Sequence, residues 1–432
     1  MLTEEERREL DKLVAMGMQH GNRLNSSLVV NVYLGFPANG RDKQELYDAV
    51  LSYLESGGIE IINDGVEPDE EETETRLEKV RPFNPGKIDI DMKTMEMSSL
   101  IKRIRYEEVD MKTAFQRKSG LWSAKQKSQL IESLMLRIPL PAFYFDGGNA
   151  DKWLIIDGLQ RITAIKEFVV DETLKLTGLE FFEDLEGAAF SDLPRALTRR
   201  IEETNIIAFI VKEGTPQNVK YNIFKRINTG GLQLTPQEIR HALYQGPAVD
   251  LCKKLAKNMA FIRATCGSIS PDRMMDQEFV LRFVAVCYYG QEKYDGVPDN
   301  YLNGAMEYLN SANCADAAVI EKQFESVMQA AANVMGRYAF RKLGMDSVRR
   351  PINKAIYEVW CWILFHCDEK QLSVLIQKKQ DVYTEFQQLC QDTQFLAAIK
   401  SSDKRLFGQR FRMVGDIVRR VLSAEKIDST EF

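Results

Sequence analysis

Trp153-Leu154-Ile155-Ile156-Asp157-Gly158-Leu159-Gln160-Arg161 runs from four apolar residues straight into an Asp-Gly turn and a polar helix start. The apolar run reads as a strand, and the residues after the turn predict a helix from about Gln160 to Val169. Strand, tight turn and helix in that order aim backbone N–H groups and the positive end of a helix dipole at one point. Arg161 adds a permanently charged planar fork suited to phosphate oxygens. Asp157 can hold a metal ion or orient that arginine. A hairpin followed by a helix with a salt-bridged arginine is the plainer alternative for the same five residues.

Phe143-Tyr144-Phe145 predicts a strand that pairs with Trp153–Ile156 as a hairpin through the turn-forming residues 146–151. Upstream, Ser123 to Leu136 reads as an amphipathic helix with a serine N-cap, ended by Ile138-Pro139-Leu140-Pro141. Downstream, Asn205 to Val211 predicts a strand and Gln217 to Arg226 a helix. Beyond Pro236 helical periodicity takes over, around Gln277 to Tyr289, Ala317 to Phe340, Ile352 to Phe365 and Leu406 to Leu422. The expected fold is α+β, a small mixed sheet with helices followed by an all-α domain, and mostly helical overall.

The front of the chain has a different character. Helices are expected over Glu4 to Met18 and Lys43 to Ser56, then a Gly57-Gly58 stop and a short strand, Ile59 to Ile62. Acidic residues crowd the stretch that follows, so the domain plan has four parts. Residues 1–63 form a small acidic helical domain and 64–81 an acidic linker; 82–245 form the strand-containing domain and 246–432 the all-α domain. Residues 1–80 carry 18 acidic against 8 basic side chains, net −10, which leaves 49 basic and 45 acidic side chains, net +4, in the rest. A local basic groove for nucleic acid fits the larger part, and the acidic front fits an internal competitor for it.

Composition narrows the class of protein. With 44% hydrophobic and 28% charged residues the chain has the make-up of an ordinary globular protein. No apolar run approaches the roughly 20 residues of a spanning helix, and the acidic N-terminus is unlike a signal peptide, so a cytoplasmic location without membrane contact is expected. The seven cysteines show no C-x-x-C pair and read as reduced thiols. No G-x-x-x-x-G-K-[ST] loop is present. The three histidines, His20, His241 and His366, show no nuclease-like spacing, and the sequence singles out no metal ligand set; Cys361, His366 and Cys367 are close in sequence but fall on different faces of a helix.

Several segments fit one family in order. Phe115-Gln116-Arg117, Trp122, Leu130-Ile131-Glu132-Ser133 and Ile138-Pro139-Leu140-Pro141 precede the turn. Phe224-Lys225-Arg226-Ile227-Asn228-Thr229-Gly230-Gly231 and Leu234-Thr235-Pro236-Gln237-Glu238-Ile239-Arg240 follow it. From about Ile88 to Gln245 the chain resembles the N-terminal domain of GmrSD-type restriction endonucleases, a DGQQR-motif family related to ParB and sulfiredoxin. Arg273-Met274-Met275-Asp276-Gln277-Glu278 with Leu281-Arg282-Phe283 looks like that family's helical continuation.

The resemblance implies a ParB/sulfiredoxin-like sheet and a pocket that binds, and hydrolyses, a nucleoside triphosphate with Mg2+. Carried over by position, Asp157, Gln160 and Arg161 take the catalytic places. Gln116, Arg117, Gly158, Asn228, Thr229, Gly230 and Gly231 line the nucleotide. Leu159 departs from the motif's pair of glutamines. The implied role is a Mg-dependent NTPase or DNA-nicking protein acting on or sensing DNA in defence against foreign DNA. The alternative is a non-catalytic, nucleotide-gated DNA-binding module that works with a separate nuclease subunit, since no fused His-containing nuclease is evident. Trp122, Trp153 and the Ile-Pro-Leu-Pro run read as packing. Arg226 and Arg240 suit phosphate or surface salt bridges; Glu132 and Glu238 suit metal or base roles, or helix capping and ion pairing. Residues 1–75 loosely resemble the autoinhibitory N-terminal region of primary sigma factors, which would imply docking on transcription machinery.

Overall fold

The computed structural model describes residues 2–19, 21–37, 43–62, 65–67, 89–111, 122–149, 151–227, 234–346 and 348–425. Two compact units emerge, one of Met1–Val80 together with Gly246–Phe432 and the other of Arg81–Gln245.

The first stretch of the two-part unit carries α1 (Glu4–Gln19), β1 (Arg23–Asn25), α2 (Ser26–Leu34), α3 (Lys43–Ser56) and β2 (Glu60–Ile62), with β1 and β2 paired in parallel. Leu10 and Leu13 of α1, Val29 and Val30 of α2 and Val50 and Leu54 of α3 close on one apolar centre. The chain then docks rather than trailing away. Val66 bridges Ile352, the Glu67 N–H donates to the Ile352 carbonyl at 2.8 Å, and the Glu67 carboxylate accepts from Asn353 Nδ2 at 2.6 Å and from Lys342. Residues 64 and 68–81, the remainder of the expected acidic linker, lie outside the described residues.

The Arg81–Gln245 unit contains β3 (Ile90–Glu96), α4 (Met97–Arg105), β4 (Val109–Asp110), α5 (Ala124–Met135), β5 (Phe143–Gly147), β6 (Trp153–Asp157), α6 (Leu159–Ile165), α7 (Arg195–Glu202), β7 (Asn205–Lys212), α8 (Gln217–Ile227) and α9 (Pro236–Leu243). The expected hairpin is β5 and β6, and the expected serine cap is a full capping box: the Ser123 hydroxyl accepts from Gln126 N, and the Gln126 side chain accepts from Ser123 N. The five strands lie in the order β3-β7-β5-β6-β4, and the sheet is mixed, with β5 parallel to β7 and antiparallel to β6. One face is sealed: Phe143, Phe145, Ile206, Ala208 and Ile210 pack against Leu100 and Ile104 of α4, Ile131 and Leu134 of α5, Ile162 and Ile165 of α6 and Ile201 of α7.

The second stretch of the two-part unit is helical: α10 (Pro247–Ala256), α11 (Met259–Thr265), α12 (Met275–Val284), α13 (Pro298–Leu309), α14 (Ala317–Met335), α15 (Lys354–His366), α16 (Glu369–Gln377), α17 (Lys379–Leu389), α18 (Thr393–Lys400) and α19 (Lys404–Ala424). Met259 and Ile262 of α11 pack on the apolar centre of α1 to α3. Deep among these helices lies a charged cluster. Arg282 on α12 meets Glu278 at 2.8 Å and Glu358 of α15 at 2.6 Å, Lys354 stands 3.3 Å from Glu278, and Arg410 of α19 pairs with the other oxygen of Glu358. The molecule is thus α+β and mostly helical, as the sequence predicts.

Candidate functional site

Gly158 is the pivot of the turn. Its φ is +104°, and a Cβ there would stand 2.6 Å from Phe143 Cδ1, so both conformation and space require glycine. With Gly158 at the N-cap no side chain caps α6, and among the described residues no acceptor meets the N–H groups of its first turn at the end of β6. Leu159, at the position where the motif carries glutamine, packs against the apolar core, so the departure substitutes packing for a polar group.

Arg161 does not reach outward as the phosphate reading expects. Its guanidinium turns into the protein, donating to Asp157 Oδ2 at 2.8 Å, to the Ala142 carbonyl at 3.2 Å and to the Pro141 carbonyl, over the Phe143 ring at 4.5 Å. Burial pulls its pKa below the ordinary arginine value, and Asp157 opposes that pull. The physical reason lies in Pro141 and Ala142: two carbonyls just ahead of β5 lack ladder partners, and a planar fork satisfies both while bracing the turn. Asp157 therefore orients the arginine with one oxygen. Its other oxygen, Oδ1, has no hydrogen-bond partner among the described residues.

Gln160 accepts the backbone N–H of Trp122 at 3.2 Å, which ties the chain at Trp122 to the turn. Asp157, Gly158, Gln160 and Arg161 are thereby gathered within one element junction. Gln116 and Arg117 on one side, and Asn228, Thr229, Gly230 and Gly231 on the other, lie outside the described residues.

The remaining candidates resolve into structural roles. Glu132 is buried and accepts the N–H groups of Glu180, Phe181 and Phe182 at 2.8 to 3.2 Å, so it holds a loop rather than a metal. Glu238 completes a capping box with Thr235 at the start of α9. Arg240 is not on the surface: it is fully buried, 3.2 Å from Gln237 Oε1 and above the Tyr221 ring. Arg226 is exposed near the end of α8. Trp153 is buried in the core, with Arg103 stacked on it at 3.9 Å, and Trp122 packs at the core's edge. Cys361, His366 and Cys367 form no metal-holding group; among the described residues no three His, Cys, Asp or Glu side chains do. No helix among the described residues is long and apolar enough to cross a membrane.

Sheet register adds residues that sequence reasoning did not single out. Asp157 pairs with Tyr144, Tyr144 with Phe209, and Phe209 with Met92, so a single row crosses β6, β5, β7 and β3 on the face opposite the sealed core. The Tyr144 and Phe209 rings stack at 4.9 Å and 16°. Alternation within Phe143–Phe145 and Asn205–Val211 carries a hint of this, but only the strand order joins the two.

Residues 97–245 match the family model described as GmrSD restriction endonuclease, N-terminal domain. The chain carries a GmrSD N-terminal domain. Its boundaries enclose the turn, the four strands β4 to β7 and the ends of α8 and α9, and the family description ties it to restriction, the defence against foreign DNA. No curated protein and no solved structure matches the chain.

Proposed function

We propose that the GmrSD N-terminal domain of this chain binds a nucleoside triphosphate at the Asp157–Arg161 turn and uses it in acting on or sensing foreign DNA. The observation that carries this reading is the turn itself: an uncapped helix start behind Gly158, braced from beneath by Arg161 and lying inside the region matched to the family. Uncapped N–H groups receive phosphate oxygens. Asp157 Oδ1 suits a Mg2+ ion, which commonly takes one or two carboxylates and completes its shell with phosphate oxygens and water. Bound there, Mg2+ would neutralise charge on the phosphates. Arg161 is then a positioning residue, charged contact with phosphate falls to Arg117, and the Asn228–Gly231 segment would offer neutral hydrogen-bond donors.

A second reading rests on a specific observation. With Arg161 engaged by Asp157, Pro141 and Ala142, the turn has no spare guanidinium to stabilise a transferring phosphoryl group. That favours a nucleotide-gated DNA-binding module whose cutting is done by a separate nuclease subunit.

The test is nucleotide binding and phosphate release by the full chain with Mg2+, with and without DNA, in the wild type and in Asp157→Asn. Turnover that falls about tenfold or more in the variant, with unchanged circular dichroism, supports the enzyme. Binding without turnover, coupled to DNA affinity that drops steeply with salt, selects the gated module. A wild type that binds no nucleoside triphosphate ends both readings.

A further inference from the structure

The open face of the sheet beside the turn is built for a flat ring. Two of its residues are large, apolar and in contact with solvent: Met92 is 62% exposed and Ile207 44%. Phe209 and Tyr144, half-buried, stand between them and the turn. The neighbouring row on the same face is closed from Val211 inward, only Ile90 at its β3 end reaching solvent. There Val211 is buried, and Asp146 forms a buried ion pair with Lys220 of α8 at 2.7 Å. The Phe209 row is therefore the first one beyond the cover; it runs from Met92 through Phe209 to Tyr144, and Tyr144 pairs with Asp157 beside a β-bulge. An ordinary solvent-facing strand face would carry polar side chains here.

We propose that Phe209 and Met92 form the platform on which the base of the bound nucleotide lies; this rests on the phosphate reading of the turn. Strand spacing of about 4.8 Å puts Phe209 roughly 10 Å and Met92 roughly 14 Å from Asp157, the span from the phosphates of a mononucleotide to its base. The two ends of the row also match the two ends of such a ligand. At Asp157 there is a carboxylate oxygen for a cation beside open N–H groups; at Phe209 and Met92 there are only an aromatic ring, already one member of a stack, and a polarisable thioether. A third ring extends the Tyr144–Phe209 stack. No charged or hydrogen-bonding side chain lies in the row between Asp157 and Met92 save the Tyr144 hydroxyl, so the platform holds any base and discriminates weakly among them.

Calorimetric titration of the full chain with Mg2+ and ATP, GTP, CTP, UTP or inorganic tripolyphosphate tests this. Nucleotides are expected to bind about tenfold or more tighter than tripolyphosphate, the scale of one base–aromatic stack. Phe209→Ala, and Phe209→Leu, which keeps the apolar volume but removes the ring, should bring nucleotides down to the tripolyphosphate level while leaving tripolyphosphate unchanged. Met92→Ser should lose part of the same preference. Nucleotide affinities that stay within about twofold in both Phe209 variants overturn the platform and leave the phosphate reading standing. Absence of binding by tripolyphosphate and nucleotides alike overturns the phosphate reading, and the platform with it.

Discussion

Two regions of this molecule bury arginine, and they do so for different purposes. In the helical unit Arg282 and Arg410 are matched to Glu278 and Glu358 within a buried cluster of carboxylates and cations. In the GmrSD N-terminal domain Arg161 sits at the end of a sheet with one carboxylate and two main-chain carbonyls, and it braces a turn whose outer side is open. Burial lowers the pKa of Arg161 and of Arg410 alike, so desolvation does not separate them; their acceptors do. Carboxylate acceptors knit helices together, whereas carbonyl acceptors fix a backbone path. The contrast breaks most visibly at Glu358, which holds two arginines at once. Glu358→Ala leaves both without that partner and is expected to cost about 3 to 5 kcal/mol of stability in urea unfolding. A loss under about 1 kcal/mol would show that the cluster is wetter and less coupled than its geometry implies.

Arg161→Lys sharpens the same comparison from the other side. A lysine keeps the charge and can reach Asp157, but a single ammonium cannot serve the carbonyls of Pro141 and Ala142 in the plane they define. The expected cost is about 2 to 4 kcal/mol, nearly that of Arg161→Ala, accompanied by loss of nucleotide binding. If the lysine variant is as stable as the wild type, charge pairing with Asp157 is what matters and the carbonyl contacts are incidental.

Local pattern made much of the fold readable. The Ser123 cap, the β5–β6 hairpin and helices such as α8 announce themselves through turn residues and apolar period, and Asp157-Gly158 marks the junction between strand and helix. What stayed hidden depends on partners distant in sequence. The direction of Arg161 is set by carbonyls about twenty residues upstream, and the Tyr144–Phe209 stack exists because β7 inserts between β3 and β5. The α2 segment Ser26–Leu34 is rich in valine, a residue that favours strands, and forms a helix because its neighbours bury it. The front of the chain reads as a tethered acidic domain, yet its apolar centre is completed by Met259 and Ile262, and Glu67 is held by Lys342 and Asn353. Deleting residues 1–80 therefore uncovers a core besides removing charge, so a change in DNA affinity after that deletion does not isolate the electrostatic effect.

Asp276 is the third case, a carboxylate drawn inward without an arginine. It lies in the first turn of α12, just after Arg273 and Met274, whose φ values of 57° and 62° are left-handed. Burial pushes its pKa up to about 6, against the N–H of Gln277, which donates to it at 2.8 Å, and against the charge of Lys257. The folded value exceeds the unfolded one, so the fold holds the proton more tightly than the open chain does. The stability this gives is fully present below the unfolded pKa of about 4 and is lost as pH rises through about 6. Asp276→Asn imitates the protonated form at every pH. It should match the wild type near pH 4 and exceed it by about 1 to 3 kcal/mol near pH 8, read as the urea midpoint across that range. Parallel pH profiles for the two proteins would mean that the carboxylate stays hydrated in the fold, and that the charges truly withdrawn from water are those that meet a charged partner.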